Sequence, residues 1–117
     1  MSRKLQNYLR TYRKRFGLSQ KEVAFLLGVK NSAKASRYER LQRVPLLETI
    51  LAYEAIFRVP VRELFGGVFE KVNKDVVRRA KLLTRTLQEG EADRITIRKL
   101  EMLSAIIVEH QNDTDSS

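Results

Sequence analysis

Residues 18–43 read LSQKEVAFLLGVKNSAKASRYERLQR, and they divide into two short helical patterns around a break at Gly28. Ser19 is an N-cap by type, because its hydroxyl accepts from the free backbone N–H groups of a first turn, and Glu22 three residues on completes a capping box. A helix therefore starts at Gln20. Val23, Ala24 and Leu27 recur at helical spacing, and Gly28 tolerates the left-handed conformation with which many helices end. After Val29 the run Lys30-Asn31-Ser32 offers another cap, and Ala35, Tyr38 and Leu41 mark the buried stripe of a second helix. The opposite side of that helix holds Ser32, Ala33, Lys34, Ser36, Arg37 and Arg40. A stripe so small, polar and basic enters a major groove without steric conflict and supplies donors for base edges and phosphates. Duplex DNA is the leading partner on these grounds.

Leu18, Ser19, Gln20, Val23, Ala24, Leu27, Gly28 and Val29, followed by Ser36, Arg37, Tyr38 and Glu39, resemble the XRE-like, phage-repressor and Cro-type helix-turn-helix family. Its usual pattern is L-S-Q-x-x-L-A-x-x-L-G-V, then a recognition helix ending S-R-I-E. Downstream, Pro45, the run LETIL at 47–51 and VPVRELF at 59–65 fit the family's fourth and fifth helices, so the resemblance covers residues 5–65. It implies an all-α, five-helix, lambda-repressor-like domain. It also implies DNA contacts from Gln20, Lys30, Asn31, Ser32, Ala33, Lys34, Ser36, Arg37, Arg40 and Arg43, with Gln20 both touching phosphate and bracing the recognition helix. A partly buried ion pair between Arg13 and Glu39 is implied as well. Two departures stand out. Gly28 to Glu39 is one residue longer than the pattern, which extends the turn near Lys30. Leu41 stands where the family has a helix-ending Gly, so the following loop is expected to start later.

Charge supports the same partner. The first 45 residues carry +10 of the formal +9, and the remainder carries −1. A positive field concentrated on one half points to a polyanion, since neutralising phosphates releases condensed counterions. At 117 residues, 43% of them hydrophobic, the chain suits one compact domain with an appendage. It has no Cys, which excludes disulfides, cysteine zinc sites and thiol catalysis. No apolar run is long enough for a bilayer, and the start MSRKLQNYLR lacks a signal-peptide core. A cytoplasmic protein without membrane contact is expected.

Before the central stretch, Leu5, Leu9, Tyr12 and Phe16 predict an amphipathic helix over 3–16, ended by Gly17. Arg10, Lys14 and Arg15 on it either approach the DNA backbone or solubilise the helix. Phe25 and Leu26 are large apolar side chains where polar ones are usual, so a cover is expected from the C-terminal helices or a partner subunit. After Pro45, a fourth helix packs Leu47, Ile50, Leu51, Tyr53 and Phe57, and Pro60 opens a fifth with Val61, Leu64 and Phe65. Gly66-Gly67 reads as the end of the domain. Val76, Ala80, Leu83 and Leu87, a turn at Glu89-Gly90-Glu91, and an apolar stretch over 95–108 then predict a helical hairpin. The expected organisation is a DNA-binding domain over 1–67, the hairpin over 68–110 and a disordered tail over 111–117. The hairpin carries more apolar surface than one neighbour needs, which suits homodimerisation through 75–108.

No catalytic arrangement is present: a lone His110, no clustered carboxylates and no Gly-rich phosphate loop leave no site, and no cofactor or metal is expected. The reading is a sequence-specific DNA-binding regulator, a repressor acting as a homodimer on a pseudo-palindromic operator. The alternative is a protein-interaction module on the same scaffold, such as an antitoxin or a polymerase adaptor with a protein partner.

Overall fold

The structure is a computed structural model that describes residues 5–115, with side chains for 5–110. Among the described residues it is all-helical, with seven helices and no strand: α1 Leu9–Arg15, α2 Gln20–Leu27, α3 Ser32–Glu39, α4 Leu47–Phe57, α5 Val61–Leu64, α6 Gly66–Gln88 and α7 Arg94–Asp115. The chain divides into two compact units, one through Phe69 and one from Glu70. The span 111–117, expected as a disordered tail, is instead helical through Asp115, where α7 ends, and at 116–117 it lies outside the described residues.

The first unit forms around Leu9, Val23, Tyr38, Tyr53, Phe57, Leu64 and Phe65, with Tyr12, Leu18, Leu27 and Ile50 packed against them. Five of these, Leu9, Val23, Tyr53, Phe57 and Leu64, are fully buried, at about 1.5–3 kcal/mol per large apolar side chain. Phe57 joins three aromatic rings, stacking on Phe16 and Tyr53 at 6.0 Å and tilting against Tyr12 at 6.1 Å. α2 packs on α3 and α4, and α1 on α3 and α4. The core side of α4 carries Ile50, Tyr53 and Phe57, whereas Leu47 and Leu51, expected to pack inward, lie on the outer side and are exposed. Glu54 on α4 accepts from the Val61 N–H at 2.8 Å and so satisfies a free donor at the start of α5.

The first helix is shorter than the periodicity predicts. It begins at Leu9, and residues 5–8 form an irregular strap. Competition for backbone partners explains the difference. The Tyr8 N–H donates to Leu64 O at 2.6 Å, while Leu5 O and Gln6 O accept from the N–H groups of Gly67 and Val68. Asn7 Oδ1 accepts from the Leu9 N–H at 3.1 Å and starts the helix. The glycine pair is also not a break. α6 runs unbroken from Gly66, and a Cβ on Gly67 would lie 2.5 Å from Leu5 O. That glycine is there because the strap passes against the helix, a role that its place in the sequence does not reveal.

In the second unit, Asp93 caps α7 by accepting from the Thr96 N–H at 2.7 Å. Val77, Ala80 and Leu103 are buried, and Asn73 Nδ2 donates to His110 Nδ1 at 3.0 Å. A contact between the start of α6 and the far part of α7 makes the pair an antiparallel hairpin. Among the described residues no helix is long and apolar enough to cross a membrane.

Candidate nucleic-acid interface

The two central helices are held by local chemistry. Ser19 Oγ accepts from the Glu22 N–H at 3.0 Å and Glu22 Oε1 accepts from the Ser19 N–H at 2.8 Å, a complete capping box. These bonds from Ser19, the backbone one foremost, hold the Glu22 carboxyl below its usual range. Gly28 ends α2 at φ 78°, with its own N–H and that of Val29 turned back to Phe25 O and Ala24 O.

Of the three polar residues that could cap α3, Asn31 does so, accepting from the Ala33 N–H at 3.0 Å. Val29 and Lys30 therefore form the turn and take up its extra length. From Ser32 to Glu39 the helix is regular. Ala35 and Tyr38 face the core. At 100° per residue, Ala33, Arg37 and Arg40 fall on the opposite side, and all three are exposed. Lys34 and Ser36 lie half-buried on its two flanks, Ser32 is half-buried nearer the core, and Lys30, Asn31 and Arg43 are exposed at the two ends of the helix.

The helix ends at Glu39, so Leu41 is not part of its buried stripe and the loop starts earlier than the missing glycine suggests. Leu41 itself takes the left-handed conformation at φ 52°. Its N–H bonds to Tyr38 O at 3.1 Å and the Gln42 N–H to Arg37 O at 2.9 Å. That is the paired-bond helix ending usually built on glycine, here made by leucine. The strain of a non-glycine residue there is about 1–2 kcal/mol.

Four side chains anchor the end of α3. Arg13 Nε donates to Glu39 Oε2 at 2.6 Å and its Nη2 to Glu39 Oε1 at 3.2 Å, while its Nη1 donates to Leu18 O at 3.0 Å. Gln20 Nε2 donates to Glu39 Oε1 at 3.3 Å, so the amide braces α3 from the N-terminus of α2. Asn7 Nδ2 bonds to both Tyr38 O and Glu39 O, at 3.3 and 3.2 Å. Periodicity did not single out Asn7, because it placed that residue inside a helix. Beneath lies Tyr53, whose hydroxyl is raised above its ordinary range, first by burial and then by the nearby Glu39 charge.

A model of the family described as helix-turn-helix matches residues 9–64. The chain carries an XRE-like helix-turn-helix domain. Neither the curated proteins nor the solved structures compared with the chain gave a match. The matched span of the helix-turn-helix contains both halves of the Arg13–Glu39 pair and all ten residues expected to touch DNA, Gln20 through Arg43. It makes the chain a DNA-binding regulator of the XRE kind. Outside the DNA-facing side, Phe25 is 83% and Leu26 51% exposed. Leu26 lines an open apolar groove of about 560 Å³ with Phe16, Leu18, Ala52, Ala55 and Ile56.

Proposed function

We propose that the chain is a sequence-specific transcriptional repressor that reads a pseudo-palindromic operator as a homodimer. The observation that carries this reading is the division of α3 into a clamped inner side and an exposed outer side of Ala33, Arg37 and Arg40. A reading helix must hold its donors within a fraction of an ångström of base edges, and the bonds from Arg13, Gln20 and Asn7 supply that rigidity.

Arg37 is the base reader in this scheme. It sits mid-helix on the outer side, and its planar fork pairs bidentately with guanine O6 and N7. Ala33, one turn earlier, is small enough to pack against a thymine methyl. Arg40 and Arg43, together with Lys30 and Lys34, hold phosphates, as do Ser32, Ser36, Asn31 and the remaining capacity of the Gln20 amide. Two copies match two half-sites about 34–36 Å apart. Repression follows from occupancy, because a dimer seated across a promoter blocks polymerase without any activating surface.

Selection of bound sites from a random duplex pool tests the proposal. One enriched palindrome supports it. A pool without enrichment removes it and favours a protein-interaction module, a reading motivated by the exposed Phe25 and the adjoining apolar groove.

A further inference from the structure

Lys71, Lys74, Arg78, Lys81 and Arg85 recur along α6 at intervals of three, four, three and four. That spacing keeps them in one row, because residues three and four apart are neighbours on a helix surface. All five are exposed, and they lie to one side of Asn73, Val77, Ala80, Thr84 and Leu87, the stripe that α6 buries or half-buries. The row is about 21 Å long at about 1.5 Å per residue. Over 71–88 the cations are these five and Arg79, against the one acid Asp75. The acids that balance them stand elsewhere, with Glu89, Glu91 and Asp93 at the turn and Glu101 and Glu109 on α7.

Two acids reach the row: Glu70 pairs with Lys74 and Asp75 with Arg78, each at 3.6 Å, and both cations are 62–64% exposed. Pairs so open to water hold little energy and exchange readily for another anion. Among the described residues Lys71, Lys81 and Arg85 form no ion pair. Like charges at these spacings repel, so each step of the row works against the helix. A solvated helix face commonly mixes signs at the same spacing and gains from it.

A polyanion relieves that repulsion, and three kinds differ in what else they require. A protein partner needs apolar or aromatic anchors at the centre of its contact, and the row has none. A membrane surface needs an apolar face that enters the lipid beside the cations. On α6 the exposed apolar residues Val72, Val76 and Leu83 lie on the opposite flank, so cations turned to a lipid surface would turn them to water. Duplex DNA needs positive charge alone.

We propose that this row is a second DNA contact, in which Lys71, Lys74, Arg78, Lys81 and Arg85 hold the phosphate backbone of a duplex without reading its bases. It rests on the DNA reading above and adds a surface outside the matched span of 9–64. Because the row and the recognition helix belong to one chain, DNA bound by α3 raises the effective concentration of phosphate at the row. Its contribution is independent of sequence and steeply dependent on salt.

Two triple variants of the full chain remove equal charge. One carries Lys74→Gln, Lys81→Gln and Arg85→Gln on the row, the other Arg79→Gln, Arg98→Gln and Lys99→Gln off it. Glutamine matches Lys and Arg in helix propensity, and circular dichroism checks that helicity is kept. Binding to the selected operator and to a scrambled duplex is measured across a salt series from about 50 to 200 mM. The row variant is expected to bind both duplexes at least about tenfold more weakly at the low-salt end. Its log–log slope should fall by about 2–3 for each bound copy, at about 0.9 per phosphate, with base preference unchanged. The off-row variant should keep the slope to within about one. Equal losses in both variants would be a response to net charge and overturn the row. So would a relaxed base preference, which would make the row act through α3. A row variant with the wild-type slope overturns the second contact and leaves the reading by α3 standing; if it also ceased to co-sediment with phosphatidylserine vesicles, the row would serve an anionic membrane. A wild type that binds neither duplex overturns the DNA reading, and this contact with it.

Discussion

Replacing Glu39 with Ala removes the anchor at the end of α3, and its cost follows from the geometry. The Glu39 side chain is 3% exposed and that of Arg13 12%. The carboxylate accepts two bonds from Arg13 and one from Gln20. Removing one member of a buried pair strands the other charge, at about 3–5 kcal/mol. Arg13 is at the rim and keeps its bond to Leu18 O at 3.0 Å, so we expect the lower end, about 3 kcal/mol. At about 4 °C or more per kcal/mol for a domain of this size, thermal unfolding should fall by at least about 12 °C. Arg13→Met with Glu39→Leu replaces both charges by apolar groups and should recover most of that loss. Scanning calorimetry of wild type, single and double variants measures all three. A loss below about 1 kcal/mol for Glu39→Ala would be the behaviour of a surface pair, and would refute the view that this pair clamps the recognition helix.

Four further outcomes are expected. Arg37→Ala should cost about 1–3 kcal/mol on the selected operator and relax preference at one base pair per half-site; equal weakening on operator and scrambled duplexes would make Arg37 a phosphate clamp. Arg43→Ala should weaken both duplexes alike and reduce the log–log salt slope by about one for each phosphate that the variant no longer neutralises, measured across a salt series. Arg58, exposed at the end of α4 with φ 58°, should accept glycine with a gain of about 1 kcal/mol in denaturant unfolding, as left-handed strain is relieved; a decrease would mean that its side chain contributes more than the strain costs. The Glu22 and Asp93 carboxyls are both depressed on folding, Asp93 chiefly by the Thr96 N–H, so what they contribute is present above the ordinary carboxylate range. It should disappear as pH falls below about 4 through their folded-state values. Helicity that fell instead on raising the pH from 5 to 8 would contradict that sign.

What residues 18–43 determine by themselves is local. The capping box at Ser19 and Glu22, the left-handed Gly28 and the spacing of Ala35 and Tyr38 act within one or two turns, so the pattern of side chains sufficed to place α2 and α3. Family resemblance added the partners Arg13 and Glu39, which are 26 residues apart and share no local signal. Contacts distant in sequence decided the rest. Residues 5–8 have a helical apolar rhythm, yet their backbone bonds to Leu64, Gly67 and Val68 outweigh that rhythm. Asn7 became a bracket for the end of α3 only because the strap crosses it. Leu41 holds a conformation that its side chain disfavours, since the ending of α3 is set by what Tyr38 and Glu39 bury. Apolar type alone likewise did not separate the core residues Tyr53 and Phe57 from Leu47 and Leu51, which face outward on the same helix. That choice belongs to the angle at which α4 meets its neighbours, a property of packed helices rather than of any one stretch of chain.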